Sequence, residues 1–278
     1  MSRLPDFLVI GAQKSGTSSL CDVLGRHPDV FVCDPKEPYF FSHAEVWARG
    51  MDWYRERFAA AGDARMIGEG STTYTQHHLY PDAPARLAEH LPNARLIFIA
   101  RDPLERIRSH WMHLRSRENR ETRPFNEAVR ERPEYLDHSR YDHQLSLYRA
   151  HYPDAQMLVL QFEPYRADPG PVIERTLAFL GVDPDVPLAP RASAQHASNV
   201  GMVDTPATGI LRKIPAFRHL RDLAPAPLRS MVRGALKRPI GDKPEYDAET
   251  RQWVIDELRA DIDAFSGRYD IDRSAWSI

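Results

Sequence analysis

Residues 7–10, Phe-Leu-Val-Ile, form a short apolar run that stops at Gly11, and beyond a polar stretch Leu20, Val23 and Leu24 fall on one helical face. An apolar run closed by glycine and followed by a 3.6-residue period predicts strand, tight loop and a helix over 17–26. The loop, Gly11-Ala12-Gln13-Lys14-Ser15-Gly16-Thr17-Ser18-Ser19, concentrates two glycines, a lysine and four hydroxyls. Backbone N–H groups and the positive end of the helix dipole make such a junction an anion site. Apolar runs recur at residues 66–67, 95–100 and 157–160, with helical patterns at 83–90, 103–117, 141–151 and 171–180. Strands alternating with helices predict an α/β fold, a central parallel sheet flanked by helices on both faces.

With 278 residues, 42% hydrophobic and 27% charged, the chain is neither a disordered tail nor a small disulfide-stapled scaffold. A net charge of -2 gives no reason to expect nucleic acid as partner. No window approaches the roughly 20 apolar residues of a membrane span, and the first apolar run is too short for a signal peptide, so a cytoplasmic protein is expected. Cys21 and Cys33 lack Cys-x-x-Cys spacing and are expected to be reduced and structural. Beyond Gly181 the pattern changes. Residues 191–243 show no convincing strand, and residues 201–243 carry nine Lys/Arg against three Asp/Glu with apolar residues interleaved. Residues 247–266 read as a helix turning Trp253, Val254, Leu258, Ile262 and Phe265 to the core. The expected organisation is one domain, 1–278: a nucleotide-binding core at 5–182, an irregular basic lid or acceptor segment at 183–243, and a helix packed on the core at 244–278.

The loop departs from the nucleoside-triphosphatase pattern Gly-x4-Gly-Lys-Ser/Thr in a way that matters chemically. There the lysine follows the second glycine and reaches the outer phosphates; here Thr17 takes that place and Lys14 lies two residues before Gly16. Residues 7–20 thereby resemble the 5′-phosphosulfate loop of the sulfotransferases that use 3′-phosphoadenosine 5′-phosphosulfate, especially their heparan-sulfate and bacterial branches. A second motif follows the apolar run at 95–100: Arg101-Asp102-Pro103-Leu104-Glu105-Arg106-Ile107-Arg108-Ser109-His110. It resembles the family's 3′-phosphate segment. Weaker likenesses lie at Lys36-Glu37-Pro38-Tyr39-Phe40-Phe41, at Gly68-Glu69-Gly70-Ser71-Thr72-Thr73-Tyr74, and at residues 141–153. Together they cover residues 5–182, with an echo in the last helix and at Trp276.

The resemblance implies a P-loop NTPase-like sulfotransferase fold and transfer of a sulfuryl group to a hydroxyl or amine without a metal. Such catalysis rests on positioning and on stabilising charge at the leaving oxygen. Lys14 is the implied catalytic cation, and the chain makes lysine conspicuous, with five Lys against 32 Arg; its ammonium is a compact, mobile point charge. N–H groups of Ser15, Gly16, Thr17 and Ser18 would hold the 5′-phosphate, and Arg101 and Ser109 the 3′-phosphate. Glu69 is the expected general base, with His43 and His77 as fallback bases that otherwise read as surface imidazoles. Lys36 is expected to contact substrate. His110-x-x-His113 lacks a third ligand, so no metal site is expected. Lys237-Arg238 and Gly241-Asp242-Lys243-Pro244 lie where the family closes a loop over adenosine, but neither names a ligand. The acceptor, whether glycan, lipid, secondary metabolite or small phenol, is not legible. The basic segment reads equally as an acceptor lid, a peripheral contact with anionic lipid or glycan, or a homodimer contact. Two alternatives stand beside this reading: an ATP-dependent phosphotransferase requiring magnesium, and a nucleotide-binding interaction protein without catalysis.

Overall fold

The computed structural model describes residues 3–116, 120–190, 202–204, 237–239 and 243–278. Five strands form an all-parallel sheet: β1 (Phe7–Gly11), β2 (Val30–Val32), β3 (Met66–Glu69), β4 (Arg95–Ala100) and β5 (Met157–Gln161). Their order is β2-β3-β1-β4-β5, with β1 at the centre paired to β3 and β4. Strand residues alternate between faces. Leu8, Ile10, Leu96, Phe98 and Ala100 enter one apolar cluster, and Phe7, Val9, Ile97 and Ile99 enter the other. Both faces are therefore buried, which is why the strands read as continuous apolar runs in the sequence.

The smaller face is covered by α1 (Thr17–Leu24) through Leu20 and Leu24, by α9 (Phe162–Ala167) through Tyr165, and by α10 (Pro169–Leu180) through Leu177 and Leu180. The larger face takes α4 (Ala83–His90), α5 (Pro103–Ser116), α6 (Phe125–Glu131), α7 (Glu134–Asp137) and α8 (Tyr141–Arg149). Two short helices, α2 (Ala44–Trp47) and α3 (Gly50–Glu56), precede β3. The last helix, α11 (Ala248–Tyr269), joins the same core through Val254, Leu258, Ile262 and Phe265. Its Asp261 carboxylate also accepts the N–H groups of Asp142 at 3.0 Å and His143 at 2.8 Å, covering the start of α8. Cys21 and Cys33 are free and buried, as expected.

The structure corrects the expectation that 191–243 holds no strand: β6 (Met202–Asp204) and β7 (Lys237–Pro239) pair as an antiparallel ribbon. Lys237 and Arg238 thus lie in β7. The rest of the expected 183–243 segment beyond residue 190, at 191–201, 205–236 and 240–242, is outside the described residues. Among the described residues no helix is long and apolar enough to cross a membrane.

Candidate functional site

The phosphate-type loop, the Lys36 segment, the Glu69 segment and the Arg101 segment follow the carboxyl ends of β1, β2, β3 and β4, the edge where ligands of open α/β sheets bind. The chain leaves β1 and turns through Lys14 (φ 71) and Gly16 (φ 92), both in the left-handed region. That backbone turns successive N–H groups into one concavity. Gly16 caps α1 without a side-chain hydrogen bond, although three hydroxyl residues follow it. The first intrahelical bond is Leu20 N–H to the Gly16 carbonyl, at 3.1 Å, so the amides before it point out of the helix end. The Ser15 N–H donates to the Ala12 carbonyl at 3.2 Å within the turn. The Ser15 hydroxyl is buried without a partner, Thr17 is buried, and Ser18 is exposed.

Arg101 lies just past β4, the neighbour of β1. Its Nη1 donates to the Lys14 carbonyl at 2.9 Å, so the two phosphate motifs are in contact. The guanidinium also lies 4.7 Å from the centroid of Phe162 and 3.7 Å from Glu105. Phe162 closes the other side of the loop, because a Cβ at Gly16 would stand 2.9 Å from its ring. Burial lowers the Arg101 pKa from its usual value, and the nearby carboxylates oppose that shift. Ser109, two turns into α5, is half-buried.

Glu69 ends β3, beside β1. Its side chain is fully buried; Oε1 accepts the Tyr54 and Tyr74 hydroxyls at 2.7 and 2.6 Å, and Oε2 accepts the Ser71 hydroxyl. Loss of hydration raises its carboxyl from 4.5 to about 7, against the stabilising pull of those three donors. Lys36 is brought to the same place: its carbonyl accepts the Gly70 N–H at 3.0 Å, and its Nζ pairs with Glu37 at 3.0 Å. The Thr75 hydroxyl donates to the Ile10 carbonyl at 2.9 Å, tying this segment to β1.

Sequence reasoning passed over Glu37. It accepts the Tyr39 hydroxyl at 2.6 Å and keeps a quarter of its side chain exposed (25%), whereas Glu69 has none. Its signal was present, a carboxylate next to the singled-out Lys36. His43 is no simple surface imidazole, since Nδ1 meets Ser42 Oγ at 3.0 Å and Nε2 meets the Tyr80 hydroxyl at 3.2 Å. His77 is half-buried, with its pKa lowered by burial and by His143. His110 is buried and stacks on His138 at 5.3 Å.

A helix start without a side-chain cap after the central strand, beside an arginine that follows the adjacent strand, defines an α/β protein with a candidate anion site at the edge of its sheet. Residues 4–206 match the family model described as the sulfotransferase domain, and the chain belongs to that family. The bifunctional heparan sulfate N-deacetylase/N-sulfotransferase 3 of Mus musculus is 31% identical over 201 residues, 66% of this chain and 23% of that protein. The membrane-associated sulfotransferase kil1 of Dictyostelium discoideum is 36% identical over 111 residues, 39% of this chain and 22% of that protein. The chain thus spans about a quarter of the length of these curated relatives. The solved sulfotransferase of Alicyclobacillus acidocaldarius shares the P-loop-like sulfotransferase fold: TM-score 0.71, 24% identity, 99% of this chain and 100% of that one.

Proposed function

We propose that this chain transfers a sulfuryl group from 3′-phosphoadenosine 5′-phosphosulfate to an acceptor hydroxyl or amine, leaving adenosine 3′,5′-bisphosphate. The observation that carries the proposal is the 2.9 Å bond from Arg101 to the Lys14 carbonyl, which sets a second cationic ligand beside a phosphate-type loop. A donor with phosphates at both the 5′ and 3′ positions matches two such adjacent anion sites. The uncapped start of α1 and the unpartnered, buried Ser15 hydroxyl fit the 5′ group; Arg101 and Ser109 fit the 3′ group. Lys14 offsets charge on the leaving phosphate oxygen as the sulfur–oxygen bond breaks.

The acceptor must give up a proton as its bond to sulfur forms. Glu69 is the base of the first reading: a carboxyl near 7 is matched to that task at neutral pH. A second reading gives the task to Glu37, because its carboxylate is partly exposed while that of Glu69 is sealed by Tyr54, Tyr74 and Ser71. Lys36, paired with Glu37 at 3.0 Å, then serves acceptor contact. A glycan, a lipid or a secondary metabolite is the acceptor class, and the heparan-sulfate relatives favour the glycan.

Incubation with sulfur-35 donor and an extract of the native organism, read by mass spectrometry of the labelled product, tests transfer directly. Labelled product from wild type and none from Lys14→Ala is the expected result; no product from any extract fraction counts against the proposal. Single-turnover rates of Glu69→Gln and Glu37→Gln then separate the two bases. The true base loses most of its rate, while an unchanged rate removes that residue from the role.

A further inference from the structure

The peptide between Arg101 and Asp102 is held at both of its polar ends. Its carbonyl accepts the Tyr141 hydroxyl at 2.7 Å, and its N–H donates to Glu163 Oε1 at 2.9 Å. The peptide is planar, so fixing both ends also fixes the direction in which Arg101 leaves the backbone. Glu163 is itself constrained, because its Oε2 accepts the Trp276 indole N–H at 2.9 Å. Trp276 packs 6.3 Å from the Tyr141 ring, and the next residue, Ser277, donates its N–H to Asp102 Oδ2 at 2.7 Å. Asp102 uses its remaining oxygen to accept the Leu104 N–H at 2.8 Å at the start of α5. Groups from β4, α8, α9 and the segment after α11 therefore close on one peptide, beside the arginine that faces the phosphate loop.

We propose that Glu163 is a positioning residue: by bridging the Asp102 N–H and the Trp276 indole it holds Arg101 in place and so sets the preference of the site for a 3′-phosphorylated nucleotide. The proposal rests on the reading of Arg101 as the 3′-phosphate ligand. A carboxylate with one donor on each oxygen cannot rotate without giving up a charge-assisted bond. Glu163→Gln keeps the volume but puts an amide NH2 opposite one of the two N–H groups, so one end of the bridge opens. Trp276→Phe keeps an aromatic ring in place and removes the indole donor.

The test is calorimetry on the full chain with adenosine 3′,5′-bisphosphate and with adenosine 5′-monophosphate, comparing the ratio of the two affinities. Arg101→Ala is expected to collapse the ratio. Glu163→Gln is expected to lower it about tenfold, the scale of a hydrogen bond to a charged group, and Trp276→Phe to lower it by a smaller factor, with 5′-monophosphate affinity unchanged in both. A wild-type ratio in Glu163→Gln and Trp276→Phe, together with collapse in Arg101→Ala, overturns the positioning role and leaves the reading of Arg101 intact. Equal weakening of both nucleotides in Glu163→Gln also overturns it, since that marks a general structural role. An unchanged ratio in Arg101→Ala overturns the reading itself. If Glu163→Gln does not fold, Trp276→Phe decides the matter.

Discussion

Glu69 is the residue at which burial and charge oppose each other most directly. Burial raises its carboxyl from 4.5 to about 7, so the folded chain holds its proton more tightly than the unfolded chain. The sign follows: its contribution to stability is complete below pH 4.5 and is lost as pH rises through about 7. The shift corresponds to on the order of 3 kcal/mol. Urea denaturation across this range should show wild type losing stability that Glu69→Gln retains; parallel pH profiles would rule the assignment out. Gly16 makes a separate prediction. With φ 92 and the Phe162 ring 2.9 Å from a would-be Cβ, Gly16→Ala should destabilise by roughly 1–2 kcal/mol and weaken nucleotide binding, read by thermal melts and calorimetry. At this scale residue type and spacing singled out Lys14, and the family resemblance singled out Arg101. It did not reveal that Glu69 would be enclosed by Tyr54 and Tyr74, because Tyr54 comes from α3, fifteen positions earlier.

Secondary elements were legible where the local signal was long. The strand 95–100 and the helix 83–90 were located to the residue, the first as an apolar run and the second as a helical period with a clear stop. Helix 247–266 runs three residues further, to Tyr269. β2, only Val30–Val32, was missed because three residues cannot establish a period, and its pairing to β3 is what makes it a strand. The β6–β7 ribbon was missed for a related reason: its partners lie more than thirty positions apart and neither half is apolar enough to stand out. α11 is capped by Asp247, whose carboxylate accepts the Thr250 N–H at 2.6 Å. Asp247→Ala should cost about 1 kcal/mol by chemical denaturation, the usual value of such a cap, and leave nucleotide affinity unchanged. A loss below a few tenths would show that the cap is dispensable.

On the scale of the whole molecule, the proposed nucleotide site is assembled from strand ends that are adjacent only because of the sheet order β2-β3-β1-β4-β5. A ligand that spans the β1 and β4 loops binds the folded chain alone, so adenosine 3′,5′-bisphosphate at a hundred times its Kd should stabilise by about 2.7 kcal/mol. Differential scanning fluorimetry should show a clear rise in Tm, and a larger rise with ATP and magnesium would favour a phosphotransferase instead. The α/β class, the phosphate loop and the arginine motif are local properties, because a strand, a glycine turn and a helix start each declare themselves within about ten residues. The contact of Arg101 with Lys14, the sealing of Glu69 and the reach of Trp276 to Glu163 are not local. They depend on which strands lie side by side and where α11 docks, and long-range packing settles that through side chains far apart in the chain.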